Sequence, residues 1–482
     1  MRVVFKNSVP ENGVRISIYS KKFVKKNKKL FSGVTFEMER NKKTLVCSGD
    51  RLEVMVGLDD TAGAVELERL GWGLLRYIRS NRLKDISLLL NNCEDEENND
   101  ERLFSLLVGM ELSDYRFDKY LTGEKKAELE TFPKSVTVVA RNEREMAARY
   151  REFSLLRDNV FFCRDLVNEP SNSINPESYS KICKDLEEYG LEVEILGEEQ
   201  MRRLGMNMLL SVGNGSSFES KVVLLRWKGL EKFENPIALV GKGVTFDSGG
   251  ISLKPGKSMY DMKCDMAGSA VVVSTMKLLA ERKARLNSIG IIGLVENMPS
   301  SDATKPGDIV TSLSGQTVEI LNTDAEGRLV LGDILYYVAR EYKPDVIIDL
   351  ATLTWSMAAT FGPYRAGVFS SSEVLSEEIC KAAEITGEYC WKMPLDKIGG
   401  DYDKMIDSSV ADMKNIFSGG HSGAITAAQF LQRFVDKHKK WAHIDIAGTA
   451  FVDNEKCFFV NSGATGYGVR LIDNLLRNNY EE

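Results

Sequence analysis

Between residues 236 and 448 short apolar runs alternate with amphipathic helical ones, and no other feature of this 482-residue chain restricts its fold as strongly. "PIALVGKG" reads as a buried strand entering a glycine-rich loop, and "SAVVVSTMKLLAERK" after it as a helix. "SIGIIGLV" and "DVIIDLATL" are further apolar strands, "GAITAAQFLQRFVDKH" is a helix, and "AHIDIAG" is another strand. Strands and helices alternating in this way build a central, mostly parallel or mixed sheet with helices on both faces. The expected fold class is therefore α/β. In open sheets of this kind, reactive groups gather beyond the carboxyl ends of the strands.

The N-terminal part reads as a smaller unit of the same class. "AVELERLGWGLLRYIRS" has helical periodicity and "DISLLL" is a short buried strand; "RLFSLLVGMELSDYRF" and "SVTVVA" repeat the pair. Between the pairs, "NNCEDEENNDE" (Asn91 to Glu101) is acidic and reads as a solvated loop. From Asn142 to Pro170, apolar residues recur at three- and four-residue steps (Met146, Tyr150, Phe153, Val160, Leu166). That is the pattern of a long amphipathic helix, ended by the proline. A chain of this length is long for one domain. The expected organisation is a small N-terminal α/β domain over 1–141, a linking helix over 142–170 and a larger catalytic α/β domain over 171–482.

Composition removes several classes of function. Hydrophobic residues are 43% and charged residues 28%, as in globular proteins. A net charge of -7 disfavours nucleic-acid binding, which needs clustered basic residues. The basic stretches "KKFVKKNKK" (Lys21 to Lys29) and "KHKK" (Lys437 to Lys440) read as solvated surface loops. The first residues contain no apolar h-region, so no signal peptide is expected, and no apolar run reaches the roughly 18 residues of a membrane span. Eight cysteines are scattered without a CxxC pair, which fits reduced thiols in a cytoplasmic protein. Cys264 lies inside a motif, but no histidine is near it in sequence, and packing is its expected role.

Charged residues nevertheless enter stretches that otherwise read as core. "NTDAEGRLVL" (Asn322 to Leu331) carries Asp324, Glu326 and Arg328 within five positions. "GKGVTFDSGGISLKPG" (Gly241 to Gly256) carries Lys242, Asp247 and Lys254, and "YDMKCDMAGSA" carries Asp261 and Asp265. A phosphate loop is not the reading: the Walker pattern needs glycine where Pro236 stands and serine or threonine where Gly243 stands. A histidine site is not favoured either. The three histidines, His421, His438 and His443, are not grouped with metal-ligand spacing, and His443 reads as a satisfied core residue. A carboxylate-rich site remains. Four carboxylates brought together would repel and raise one another's pKa values, and divalent cations relieve that. In an extended segment Asp324 and Glu326, two residues apart, would point to the same side. Gly327 would let the backbone turn tightly or approach a metal, and Arg328 would hold an anion beside it.

These segments resemble the leucine aminopeptidase (M17, cytosol aminopeptidase) family. "NTDAEGRL" matches its signature in full; "GKGVTFDSGGISLKP" and "MKCDM" match the other two metal-site segments. "LVNEPSN", "ENMPSSDATKPGD", "DLATLT", "SGAITAAQFL", "WAHIDIAG" and "GATGYGVRLI" extend the match. The resemblance is dense over about 165–475 and faint before it, where "LLVGMELSDYRFDKY" is the best trace. It implies that Lys242, Asp247, Asp265, Asp324 and Glu326 ligate two divalent metals, with Asp247 and Glu326 bridging them. Manganese or zinc is the expected metal, with magnesium or cobalt as alternatives. It further implies that Lys254 and Arg328 are catalytic. Lys254 would stabilise the oxyanion, and Arg328 would hold a bicarbonate ion that relays the proton of the metal-activated water. Asp261 is read as a helix N-terminal residue rather than a ligand.

The activity so implied is removal of the N-terminal residue from short peptides by a cytoplasmic homohexamer, with no membrane or nucleic-acid partner. Two alternatives share the residues: a DNA-binding regulator of the same family and a metal-dependent phosphohydrolase. Two positions depart from the pattern. Ala267 replaces a usual glycine, and "ATLTWS" places Trp355 where the family has glycine in the wall of the first substrate pocket. Met262, Thr352 and Trp355 are the candidate pocket residues. An indole pointing into that pocket predicts a preference for small first residues, including that of Cys-Gly; the alternative is a shifted loop with Trp355 packed outward in a hexamer contact.

Overall fold

Long apolar runs become central strands because both of their faces are covered, whereas alternating runs become strands with one solvated face. The computed structural model describes residues 1–10, 12–20, 43–48, 51–59, 61–91, 99–127, 132–257, 259–435, 440–453, 457 and 459–482. The basic stretch at 21–29, the acidic stretch over 92–98 and residues 437–439, with His438, lie outside them. The chain divides into two units, Met1–Arg157 and Asp158–Glu482, and the division falls inside the helix Glu143–Asn168.

The first unit holds a six-stranded sheet in the order Arg2–Lys6, Ser135–Val139, Asp85–Asn91, Val14–Ser20, Arg51–Leu58, Lys43–Ser48. All its pairs are parallel except the last. The helices Ala64–Ser80 and Asn99–Leu112 pack against each other where Gly71 and Gly109 leave no room for a Cβ: each would meet a carbonyl of the other helix. The apolar face of the first helix (Leu67, Leu70, Leu74, Leu75, Ile78) is buried with Ile16, Ile18 and Leu88.

The second unit is built on an eight-stranded sheet. Its order is Cys390–Lys392, Ala366–Ser370, Trp441–Asp445, Val346–Ala351, Ile237–Asp247, Asn287–Asn297, Lys221–Lys228, Glu192–Leu196. The four middle strands run parallel, and antiparallel pairings flank them on both sides. The sheet is thus mixed, with a parallel centre. Ile237–Asp247 and Asn287–Asn297 are buried at all but one position, which is why their sequences read as unbroken apolar runs. The helix Ala267–Glu281 presents almost no solvated face, and Gly327–Tyr342 buries its first nine residues. A small three-stranded sheet, Ile309–Thr311, Thr317–Glu319, Met413–Lys414, stands beside this body. Among the described residues no helix is long and apolar enough to cross a membrane.

Candidate metal centre

The charged residues singled out in the sequence come together at the carboxyl ends of the parallel strands. Lys242 lies midway along Ile237–Asp247, and Asp247 ends it. Asp265 closes the 3-10 turn Met259–Met266, just before the helix Ala267–Glu281. Asp324 and Glu326 occupy the loop that precedes the helix Gly327–Tyr342. Ligand atoms of Asp247, Asp265 and Glu326 lie within 4.8 Å of one another, and all three residues are buried.

Two lysines reach into the cluster. Lys242 Nζ donates to Asp265 Oδ1 at 2.8 Å and to the Thr352 carbonyl at 3.0 Å, and pairs with Glu326 Oε1 at 2.7 Å. Lys254 Nζ lies 2.8 Å from Asp247 Oδ2 and pairs with Asp324. Burial alone would lower the Lys242 ammonium, but Asp265, Glu326 and Asp247 outweigh it and hold it above the ordinary lysine range. Burial, with Glu326 and Asp265 adding to it, pushes Asp247 up. Burial also drives Asp265 to about 7, against the pull of Lys242. Such groups crowd because the fold forces them to, and crowded buried carboxylates mark sites of function.

The donor set fits divalent cations. Asp265 Oδ2 lies 2.8 Å from Lys242 Nζ yet out of line for a hydrogen bond, so this buried oxygen keeps a free acceptor direction. Carboxylate oxygens with one amine suit magnesium, manganese, cobalt or zinc, and availability selects among them. Asp247 Oδ1 is oriented from behind by Asn297 Nδ2 at 2.8 Å and the Gly249 amide at 2.9 Å. Thr352 Oγ1 does the same for Asp265 Oδ1 at 2.7 Å. Supporting bonds of this kind fix ligand direction.

Arg328 is 6% exposed, and its Nη1 donates to the Asn415 carbonyl at 2.6 Å. Its Nε is buried without a partner. Burial lowers the guanidinium to about 10, with Glu326 and Asp445 opposing. A buried guanidinium with an unused donor suits a small planar anion.

The local geometry around Glu326 differs from the sequence expectation. Residues 324–326 are not extended: Glu326 has φ -84° and ψ -35°, a helical conformation at the N-cap of the helix. Asp324 and Glu326 therefore converge through a turn and not through strand alternation. Nor does Gly327 serve a tight turn. It is the first helical residue, and a Cβ there would lie 2.6 Å from Lys242 Cε and 2.8 Å from its Nζ. The glycine makes room for the lysine stem. His443 is only half satisfied: Nδ1 meets Asp349 Oδ1 at 2.5 Å, while Nε2 is buried without a partner. Asp261 lies in the first turn of Met259–Met266, outside the cluster, and burial pushes its carboxyl up. Cys264 is a free thiol, pushed up to about 12 by burial.

Among the pocket candidates, Thr352 belongs to the carboxylate network, Met262 is half-buried in the turn before Asp265, and Trp355 is 83% exposed. Asn297, which orients Asp247, was not singled out by sequence. It sits inside "ENMPSS" at the end of an apolar strand, where an amide before a loop carries no signal of its own.

Residues 161–472 match the family described as "Cytosol aminopeptidase family, catalytic domain". A probable cytosol aminopeptidase from Xanthobacter autotrophicus is 48% identical over 382 residues, 79% of this chain and 75% of that protein. One from Rhizobium meliloti is 45% identical over 434 residues, 90% and 86% of the two chains. Among solved structures, "Bottromycin maturation enzyme BotP in complex with Mn" superposes with a TM-score of 0.83 at 30% identity, over 96% of this chain and 99% of that one.

Proposed function

The chain belongs to the cytosol aminopeptidase family and is a hydrolase of the aminopeptidase type; from that premise we propose that it binds two divalent cations and cuts the N-terminal residue from short peptides. One observation supports this reading above the others: three buried carboxylates with ligand atoms within 4.8 Å of one another, flanked by Lys242, Lys254 and Arg328. In this reading Lys242, Asp247, Asp265, Asp324 and Glu326 would hold the two cations. When bound, two divalent cations lower the pKa of a water and polarise the carbonyl to be cut. Manganese is favoured by the metal named with the BotP structure, and zinc, magnesium and cobalt suit the same donors.

The chain's own residues divide the rest. Lys254 is 21% exposed at its side chain, the one cation of the cluster with a solvent-facing side. Asp247 and Glu326 keep it charged against burial, so it can meet the negative charge that develops on the carbonyl oxygen. Arg328 offers its unused Nε to a bicarbonate ion, which is where this reading places the acceptor of the water's proton. That placement explains a hydrolytic site without histidine. In the same reading the substrate's free α-amino group would be held by one of the cations, hence cleavage at the N-terminus. A homohexamer in the cytoplasm is part of the same reading and rests on the family. In the same reading the exposed indole of Trp355, three residues beyond Thr352, would narrow the pocket for the first side chain and favour small residues, Cys-Gly among them.

Glu326→Ala and Asp265→Ala decide the assignment. Each variant is expected to lose turnover of Leu-p-nitroanilide and to retain less metal by elemental analysis. Full metal occupancy in Glu326→Ala would sink it.

A further inference from the structure

The loop Leu321 to Glu326 belongs to no strand or helix, yet it carries Asp324 and Glu326. Buried backbone groups outside regular structure need partners from elsewhere. Here one side chain supplies four of them. Asn415, 0% exposed, follows the two-residue strand Met413–Lys414, which pairs in parallel with Thr317–Glu319. Its own N–H donates to the Glu319 carbonyl at 2.9 Å, which fixes its backbone just before the loop begins.

Its side chain then spans the loop. Oδ1 accepts from the Leu321 amide at 2.9 Å and the Asn322 amide at 3.4 Å. Nδ2 donates to the Asn322 carbonyl at 2.7 Å and the Ala325 carbonyl at 3.3 Å. The partners assign the amide orientation, since two N–H groups face one atom and two carbonyls the other. Among short side chains only asparagine offers two donors and a doubly accepting oxygen in one plane; aspartate lacks the donors and serine the span. The main-chain carbonyl of the same residue accepts Arg328 Nη1 at 2.6 Å. Within the loop, the Asp324 amide donates to Asn322 Oδ1 at 2.8 Å, so the segment gripped by Asn415 passes its shape directly to Asp324.

We propose that Asn415 is a positioning residue: its side-chain amide sets the loop so that Asp324 and Glu326 converge on Asp247 and Asp265, and its carbonyl aims Arg328. This rests on the reading of that loop as metal-binding. Substitution of the side chain leaves the carbonyl bond to Arg328 available, so the two parts of the proposal separate.

The test uses full-length protein stripped with chelator and titrated with Mn²⁺ by calorimetry, with kcat and KM on Leu-p-nitroanilide. Asn415→Ala removes four loop bonds. The isosteric Asn415→Asp keeps the acceptor and sets oxygen against two carbonyls, and it carries the test if the alanine variant does not fold. Both should bind Mn²⁺ about 10- to 100-fold more weakly, the usual effect of removing a group that supports a ligand. Their kcat should fall and be partly restored by excess Mn²⁺, which a merely structural residue would not show. Glu388→Ala is the control, another buried side chain, whose Oε2 accepts from the Gly468 and Leu471 amides; it should lower Tm and leave Mn²⁺ affinity unchanged. Wild-type Mn²⁺ affinity and kcat in the folded Asn415 variants overturn the proposal. If Glu326→Ala loses Mn²⁺ while those variants keep it, only the positioning role falls; if Glu326→Ala also keeps it, the metal-site reading falls too.

Discussion

Arg328 and Trp355 are the two residues at which chemistry and selectivity can be separated by single substitutions. Arg328 touches protein through Nη1 and leaves Nε unpaired, so Arg328→Ala should fold and hold Mn²⁺ normally. Its activity should drop by about 10²-fold, the scale of one general base. Added bicarbonate should stimulate the wild type and not the variant; equal stimulation of both would remove Arg328 from that role. Trp355 is an exposed indole three residues beyond Thr352, and its exposure shows that the core does not need it. Measured as kcat/KM, the wild type should prefer Ala-Gly and Cys-Gly to Leu-Gly. Trp355→Gly should gain on Leu-Gly more than on Cys-Gly, by about 1–3 kcal/mol if only fit changes. A wild type that already prefers Leu-Gly rules the crowding out. At this scale residue types were legible and their geometry was not. The acids were found because charge is rare in runs otherwise apolar. Two-residue spacing is compatible with strand alternation and with a turn, and it is a turn that brings Asp324 and Glu326 together.

Elements were legible in proportion to their length. Ala64–Ser80, Ile237–Asp247 and Ala267–Glu281 carry long periodic or unbroken apolar signals. The two-residue strand Met413–Lys414 has no pattern at all, and with it the placement of Asn415 beside a loop some 90 residues earlier was invisible. The helix Gly327–Tyr342 is also tied to its surroundings by a group that periodicity does not reveal. Asp333, 0% exposed, accepts from the Leu313 amide at 2.8 Å and the Leu209 amide at 3.0 Å, the latter in the helix Asn207–Gly213. Both carboxyl oxygens can accept, ionised or protonated, whereas the amide nitrogen of asparagine cannot, so Asp333→Asn should cost about 1–3 kcal/mol by leaving an amide stranded. Burial pushes Asp333 up to about 7. The folded chain therefore keeps a proton that the unfolded chain releases near pH 4, and this residue's contribution to stability falls as pH rises from about 4 to about 7. Asparagine does not titrate. In chemical denaturation the stability gap between wild type and Asp333→Asn should thus be wider at pH 5 than at pH 8. A gap independent of pH would mean that Asp333 is ionised throughout.

Across the whole molecule, every proposed ligand comes from the unit Asp158–Glu482. Class and parallel centre followed from the alternation of runs, but the sheet order did not, since nothing local says that Trp441–Asp445 lies between Val346–Ala351 and Ala366–Ser370. That strand ends in Asp445, whose carboxylate accepts from the Leu353 amide at 3.2 Å and Thr354 Oγ1 at 2.7 Å. It thereby holds the segment whose Thr352 meets Lys242 and Asp265. Synthesis runs from the N-terminus, and domains fold as units. All five proposed ligands precede this strand in the chain, so a growing chain carries those side chains without the frame that aims them. A chain still on the ribosome thus lacks Asp445, and with it the hold on the Thr352 segment, until the last strand of the eight-stranded sheet has been made. A chain ended at residue 440 tests the timing: it carries every ligand and should retain little Mn²⁺, whereas full retention would mean that the centre matures before the sheet does.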